Sequence, residues 1–366
     1  MIFISGITIS FFLSLLLLFK KGKNRADYLL MIWFLFICIH QLLFYLDFSG
    51  YNRLYPFLMG VIIPFPLVHG PLLFFYVSAL VNHLPKKKIR YVIHFLPFIL
   101  CFLYMIKFFK LPVEQRHFIM ANDGVGFETF ILINFITIVI LGVGYITWSL
   151  ILIKRHQRNI QDKFSNLAKI NLKWLQYLTY GLGMIWVVVI FSEDVHIFIS
   201  VTIFMILIGF FGIRQVGIFT NSQLAENTAV ETSSVEQIEK QARYEKSGLT
   251  PEKKLILKNE LNRLMGEKIF LNPGLSLDTL AAQLDIHTNY LSQFINEELG
   301  VTFYDYINNN RVKEFEKLIS KPDNQKFTIL ALAYECGFNS KSSFNRHFKK
   351  VTGKSPSEYL RNRNIE

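Results

Sequence analysis

Apolar residues run in long, nearly unbroken stretches over the first two-thirds of the chain, then give way near residue 220 to a periodic mix of apolar and polar positions. Seven stretches, at 2–19, 27–47, 56–82, 91–109, 127–153, 172–191 and 195–213, reach or approach the length of about 20 residues at which a helix crosses a bilayer core. Helices are the element expected, because unpaired backbone groups are costly in lipid. Pro64, Pro66 and Pro71 interrupt the third stretch and predict a kink or partial unwinding there.

The pattern after residue 220 is different in kind. Residues 214–251 are polar with few large apolar side chains, which predicts a tether, helical over 233–246. Thr250 and Pro251 form a helix start, with the proline at the first helical position, where its missing N–H is harmless. Leu255, Leu257, Leu261, Leu264 and Met265 then recur at helical spacing and mark one apolar face. This face would pack on the following domain or serve dimerisation.

Beyond residue 275 the chain repeats itself approximately. "LAAQLDIHTNYLSQFIN" (280–296) parallels "LAYECGFNSKSSFNRHFK" (332–349), with one extra residue in the second turn. Ile286 corresponds to Phe338, Leu291 to Phe344 and Ile295 to Phe348. Each copy predicts a helix, a short turn and a second helix. Gly337 suits a turn that needs positive φ, and Ser276 suits a helix N-cap. Between the copies, 303–320 predicts a connecting helix with Tyr306, Ile307, Val312, Phe315, Leu318 and Ile319 buried, ended by "KPDNQ" (321–325).

This is helix-turn-helix architecture, in which the second helix of a unit enters the major groove. Its outward positions should be polar. In the first copy they are Asn289, Ser292 and Gln293; in the second they are Lys341, Ser342, Asn345 and Arg346, followed by Lys349 and Lys350. Arg can chelate guanine, and Asn or Gln adenine, each good pair discriminating by about 1–3 kcal/mol. Lys349, Lys350 and Lys354 suit phosphates, which fix register without reading sequence. A solvated helix face is the plain alternative, and the duplication counts against it.

Composition changes the picture in one respect. The 366 residues are 52% hydrophobic, 18% charged and carry a net charge of +12. Residues 1–219 hold 19 Lys/Arg against 8 Asp/Glu, whereas residues 220–366 hold 20 against 19. The excess charge therefore belongs to the apolar part and says nothing about nucleic acid. Within that part, the first, third and fifth loops carry 14 Lys/Arg and the second, fourth and sixth carry 3. By the positive-inside rule the odd loops face the cytoplasm, the N-terminus lies outside, and the tail lies inside. No positive charge precedes the first stretch, so it reads as a retained anchor and not a signal peptide.

Candidate chemistry in the spans is sparse. His40, His69, His94 and His196 lie in or beside apolar segments, where ionisable groups often serve function. His69, within "PFPLVHGPLL" (64–73), is the ligand-binding candidate, its alternative being an interhelical hydrogen bond. The seventh span has no central lysine for a retinal Schiff base, and no span has the paired carboxylates of a proton relay. HExxH, GxSxG and phosphate-loop motifs are missing, so no enzyme is expected. Cys38, Cys101 and Cys336 are far apart and suggest neither disulfide nor metal site.

Over about 265–365, the Gly300 boundary, Arg311-Val312, "CGF" (336–338), "SSFNRHFKK" (342–350) and "TGKSPSEY" (352–359) together resemble the DNA-binding domain of the AraC/XylS transcription regulators. The resemblance implies an all-α domain with two helix-turn-helix units that recognise promoter DNA, base-facing at Asn289, Ser292, Gln293, Ser342, Asn345 and Arg346. Gln293 stands where many members have Arg or Lys, Phe315 where Ala is frequent, and His287 where Ser is usual. A weaker phosphate grip in the first unit follows. The family's usual soluble, β-rich sensory half is replaced here by seven spans.

The expectation is therefore an all-α chain: a seven-helix transmembrane bundle (1–219), a polar linker (220–251) and a cytoplasmic domain with two helix-turn-helix units (252–366). Expected partners are double-stranded promoter DNA, the lipid bilayer of the bacterial inner membrane, a second copy in a homodimer, RNA polymerase and a small-molecule or envelope signal. No cofactor is implied. A signal in the bundle would reach the DNA-binding part through the seventh span and the linker. The rival reading is a transporter or receptor with a regulatory tail.

Overall fold

The structure, a computed structural model, describes residues 1–167, 170–214, 251–324 and 326–363. The expected linker, its helix over 233–246 and Thr250 lie outside the described residues. Helices account for the regular structure, with no strand among the described residues and one isolated antiparallel bridge, Phe164 with Ser276. Two compact units divide the chain. One holds Met1–Lys154 and the described residues from Lys173 to Arg214; the other holds Arg155–Leu172 and the described residues from Pro251 onward.

The first unit contains α1 (Ile2–Phe19), α2 (Arg25–Phe48), α3 (Pro66–Leu80), α4 (Ile89–Phe109), α5 (Val113–Ala121), most of α6 (Glu128–Lys163), α7 (Lys173–Phe191) and α8 (Asp194–Arg214). Five of these, α1, α2, α4, α6 and α7, are long and apolar enough to cross a membrane. The other two expected spans give shorter apolar stretches, Pro66–Leu80 and, within α8, Asp194–Phe210. The prolines explain the third: residues 56–65 form 3₁₀ and other turns, and α3 begins only at Pro66, with Pro71 inside it. The loop after α4 holds α5, which hydropathy did not foretell because its nine residues are mixed in character.

Small residues let these helices approach. Gly6, Ser10 and Ser14 lie on the buried face of α1, which packs against α2 and α8. A Cβ at Gly6 would stand 2.5 Å from the Thr202 hydroxyl of α8, so glycine is needed for this contact, as in many membrane helix pairs. α3 is buried on nearly every side, which marks it as the central helix of the unit. Large apolar side chains such as Phe11, Phe12, Leu103, Leu132 and Ile140 are exposed, a surface that suits lipid and not water.

In the second unit, α9 (Pro251–Gly266) leads into a short helix, α10 (Leu277–Gln283), then α11 (Thr288–Glu298), the long α12 (Phe303–Ile319), a second short helix, α13 (Ile329–Glu335), α14 (Lys341–Thr352) and α15 (Pro356–Arg363). α12 serves two cores. Its Ile307 joins Leu261, Leu280, Leu291 and Ile295, while its Val312 and Phe315 join Leu332, Phe338, Phe344 and Phe348. Phe315, fully buried, packs its ring 4.7 Å from that of Phe344 and 5.5 Å from that of Phe348. Of the residues expected to be buried on α12, Tyr306, Leu318 and Ile319 are only half-buried, whereas Tyr304, Asn308, Arg311 and Glu314 are buried.

Candidate nucleic-acid interface

The internal repeat is visible in the backbone. In the first copy Asp285 N–H donates to Ala282 O at 3.2 Å and Ile286 N–H to Ala281 O at 3.1 Å; in the second Gly337 N–H donates to Tyr334 O at 2.9 Å and Phe338 N–H to Ala333 O at 3.1 Å. Both turns need a left-handed residue: Asp285 with φ 51 and Gly337 with φ 89. They differ in space. A Cβ at Gly337 would lie 2.8 Å from Phe270 O, 2.7 Å from Leu271 O and 2.9 Å from Arg311 Nε. Glycine at this turn is required by crowding as well as by φ.

α14 carries the sharper surface. Ser340 caps it, accepting from Ser343 N–H at 3.2 Å, and Gly353 closes it with φ 75. Ser343, Phe344, His347 and Phe348 are buried, while Lys341, Ser342, Asn345, Arg346, Lys349 and Lys350 are exposed. All six expected residues of this helix thus share one solvent face. Two are held by α12: Arg346 Nη2 donates to the Tyr304 hydroxyl at 3.2 Å, and Lys350 Nζ to Asp305 Oδ1 at 2.6 Å. Beneath them His347 pairs with Asn309 Oδ1 at 3.0 Å, and burial pulls its imidazole down to about 4, against the opposing pull of Asp305. It is a neutral packing residue and leaves the positive charge to the exposed face.

α11 is more neutral. His287 takes the N-cap place, its Nδ1 accepting from Asn289 N–H at 3.2 Å, so histidine does here what serine does at other caps. Asn289 and Gln293 are exposed and Ser292 half-buried. Gln293 Nε2 donates to Glu297 at 3.1 Å and Asn296 Nδ2 to Ser292 Oγ at 3.4 Å. With Glu297 and Glu298 at its end, this helix offers amide and hydroxyl groups for base edges but no cation for phosphate.

The supporting residues Tyr304, Asp305 and Asn309 escaped the sequence reading. Their only sequence signal is position on one face of α12, at i, i+1 and i+5, and their partners are 38 to 45 residues away.

In the first unit His69 bridges α2 and α3. Trp33 Nε1 donates to His69 Nδ1 at 3.3 Å, and His69 Nε2 lies 2.9 Å from His40 Nδ1. Indole can only donate, so the His69 proton sits on Nε2 and points to His40. Both ring nitrogens of His69 are engaged inside the protein. His94 pairs likewise with the Tyr145 hydroxyl at 2.7 Å, and His196 is exposed.

Residues 280–362 match a family described as a helix-turn-helix domain. Over 88 residues the chain is 32% identical to the uncharacterized HTH-type transcriptional regulator YijO of Escherichia coli (strain K12), a match taking in 24% of this chain and 30% of that protein. It is 28% identical over 85 residues to the uncharacterized HTH-type transcriptional regulator YtdP of Bacillus subtilis (strain 168), covering 23% of this chain and 11% of that protein. It is 26% identical over 104 residues to the probable transcription factor PqrA of Proteus vulgaris, covering 28% of this chain and 83% of that protein. The chain thus spans less than a third of the length of the first two relatives. No solved structure matches it. The C-terminal part is similar to AraC-type helix-turn-helix domains, as its repeat and motifs led us to expect.

Proposed function

We propose that this chain is a membrane-embedded one-component transcription regulator, with two helix-turn-helix units that bind promoter DNA sequence-specifically. The observation that carries the reading is α14, whose six polar and basic side chains share one exposed face within the segment matched by the helix-turn-helix family. Asn345 and Arg346 read base edges, with Ser342 beside them; Lys341, Lys349 and Lys350 meet phosphates. Asn289, Ser292 and Gln293 form the weaker, first reading surface.

The apolar unit is a seven-span sensor of the bacterial inner membrane, with its N-terminus outside and the DNA-binding part in the cytoplasm. The loop bias of 14 Lys/Arg against 3 supports that orientation. His69, with Trp33 and His40, is the polar centre at which a small-molecule or envelope signal would act, by displacing one of the two partners. A signal shifts the bundle only through different affinity for its two states. The active form is a homodimer on DNA, in contact with RNA polymerase.

The test is selection of genomic fragments by the full chain in lipid nanodiscs. Enrichment of a common sequence, with affinity falling steeply as salt rises, supports the regulator. Recovery of no sequence, together with substrate flux in vesicles, favours the transporter reading.

A further inference from the structure

The second unit contains a piece of chain that hydropathy assigns elsewhere. Arg155–Leu172, the end of α6 and the loop after it, belongs with the DNA-binding part. Its central residue is Ser165, which is 1% exposed. Ser165 Oγ donates to Leu275 O at 2.5 Å, and Ser165 O accepts from Asn308 Nδ2 at 3.0 Å and Arg311 Nη1 at 3.4 Å. Its Oγ also accepts from Arg311 Nη2 at 3.3 Å. Next to it Phe164 makes the antiparallel bridge with Ser276. Ile160 and Leu167 pack on Tyr304, all three buried.

The receiving site is built for a polar visitor. Arg311 is 1% exposed, and burial lowers its guanidinium to about 10. Phe270 O, Asn272 O and Asn308 Oδ1 accept three of its hydrogen bonds, at 2.7, 2.8 and 3.2 Å. The remaining acceptors come from Ser165. A buried guanidinium with donors unmet is strongly unfavourable, so the site is complete only with the loop in place. The loop is also folded for the purpose: Gln157 Nε2 donates to Asn171 O at 2.9 Å, and His156 Nε2 lies 3.0 Å from Ile170 O.

From these observations we infer that residues 155–167 are an intrachain docking segment, seated on Leu275, Asn308, Arg311 and Tyr304, that ties the membrane helix α6 to the second reading helix. The link to α14 is Tyr304, which meets the loop through Leu167 and meets α14 through Ser343 Oγ at 3.4 Å and Arg346 Nη2 at 3.2 Å. α6 runs without a break from Glu128 to Lys163. A shift or rotation of its apolar part is therefore delivered to the loop along a continuous hydrogen-bonded helix. In this reading the signal reaches the second unit by α6 and its loop. The regulatory meaning rests on the proposed DNA-binding function; the docking itself does not.

Hydrogen exchange on the full chain in nanodiscs tests it, for the wild type, Leu167→Asp and Ser165→Leu. The wild type should exchange about tenfold or more slowly over 160–167 than an unstructured peptide. Each variant should raise exchange over 160–167, over 269–276 and over 303–311, while 277–283 and 291–295 stay protected and report an intact fold. Unprotected 160–167 in the wild type overturns the docking, as does a rise confined to 160–167 in both variants. Genomic selection run in parallel separates the two readings. Coupled exchange without any selected sequence keeps the docking and sinks the regulator; a selected sequence with uncoupled exchange does the reverse.

Discussion

The Arg346 guanidinium donates to the Tyr304 hydroxyl at 3.2 Å, and Tyr304, 6% exposed, is locked in the second unit beneath it. A long, exposed side chain on α14 is thereby held in place, and under the proposed function it is aimed before any DNA arrives. Ordering a free side chain of this kind on binding costs about 0.5–1.5 kcal/mol. Tyr304→Phe keeps the ring and removes the acceptor. It should weaken binding to the selected sequence about fivefold, for a loss of about 1 kcal/mol, and leave binding to random DNA nearly unchanged. Titration of both DNAs with the full chain checks this.

Arg346 and Lys350 should differ in what they contribute. Arg346→Ala should relax preference at one base position, at a cost of about 1–3 kcal/mol on the best site. Lys350→Ala should weaken all sequences alike and reduce the salt slope by about 1. Asp305 holds Lys350 at 2.6 Å, so Asp305→Asn should free the ammonium and strengthen random-DNA binding. Fragment selection and salt titration distinguish the three variants; equal behaviour of the first two would remove the division between base and phosphate roles.

The two equivalent turns should tolerate substitution unequally. Gly337→Ala meets a φ of 89 and two carbonyl oxygens under 3 Å from the new methyl, with Arg311 also in the way. A left-handed alanine alone costs about 1–2 kcal/mol, and the overlap adds to it. Asp285→Gly relieves a left-handed φ of 51 in the other copy and should be within about 1 kcal/mol of neutral. Thermal melts of the full chain, followed by exchange over 332–348 and 280–295, would show the contrast.

The exposed face of α14 was legible because one helix and one period decide it: Phe344 and Phe348 mark the inside, and Asn345, Arg346, Lys349 and Lys350 follow as the outside. Gly337 was legible for a related reason, since it is a local conformational need. A break in the third apolar stretch was legible from proline chemistry, though not that α3 begins only at Pro66. Arg311 was legible only as part of the Arg311-Val312 motif; what it holds together was not, because its partners Phe270, Asn272 and Ser165 lie 39 to 146 residues away. The same distance hid the loop at 155–172, whose Lys and Arg explained themselves fully as topological signals. Hydropathy assigns a segment to a membrane face; it does not say what the segment touches there.

His347 gives the second unit a pH dependence. Its folded-state value of about 4 lies below the ordinary 6.5, through burial first, with Lys350, Arg346 and Arg311 adding to the effect and Asp305 opposing it. Unfolding therefore takes up a proton between those values. Stability is complete above about pH 6.5 and is lost as pH falls toward 4, by about 2 kcal/mol between neutral pH and pH 5. Hydrogen exchange over 341–352 in the full chain, corrected for intrinsic rates, should show this loss. His347→Gln should flatten it, at some cost in stability at neutral pH.

The orientation of the apolar unit can be tested with thiols, because Cys38, Cys101 and Cys336 are all buried. The third loop carries Lys86, Lys87, Lys88 and Arg90, whereas the loop holding α5 carries Lys110 and Arg116. Basic residues are retained on the cytoplasmic side during insertion, so these two loops should lie on opposite faces. A membrane-impermeant maleimide applied to intact cells should label His117→Cys and spare Lys87→Cys, and permeabilised cells should label both. Labelling of Lys87→Cys from outside would invert the topology. The DNA-binding part would then be kept from the chromosome, and the transporter reading would have to be taken up in its place.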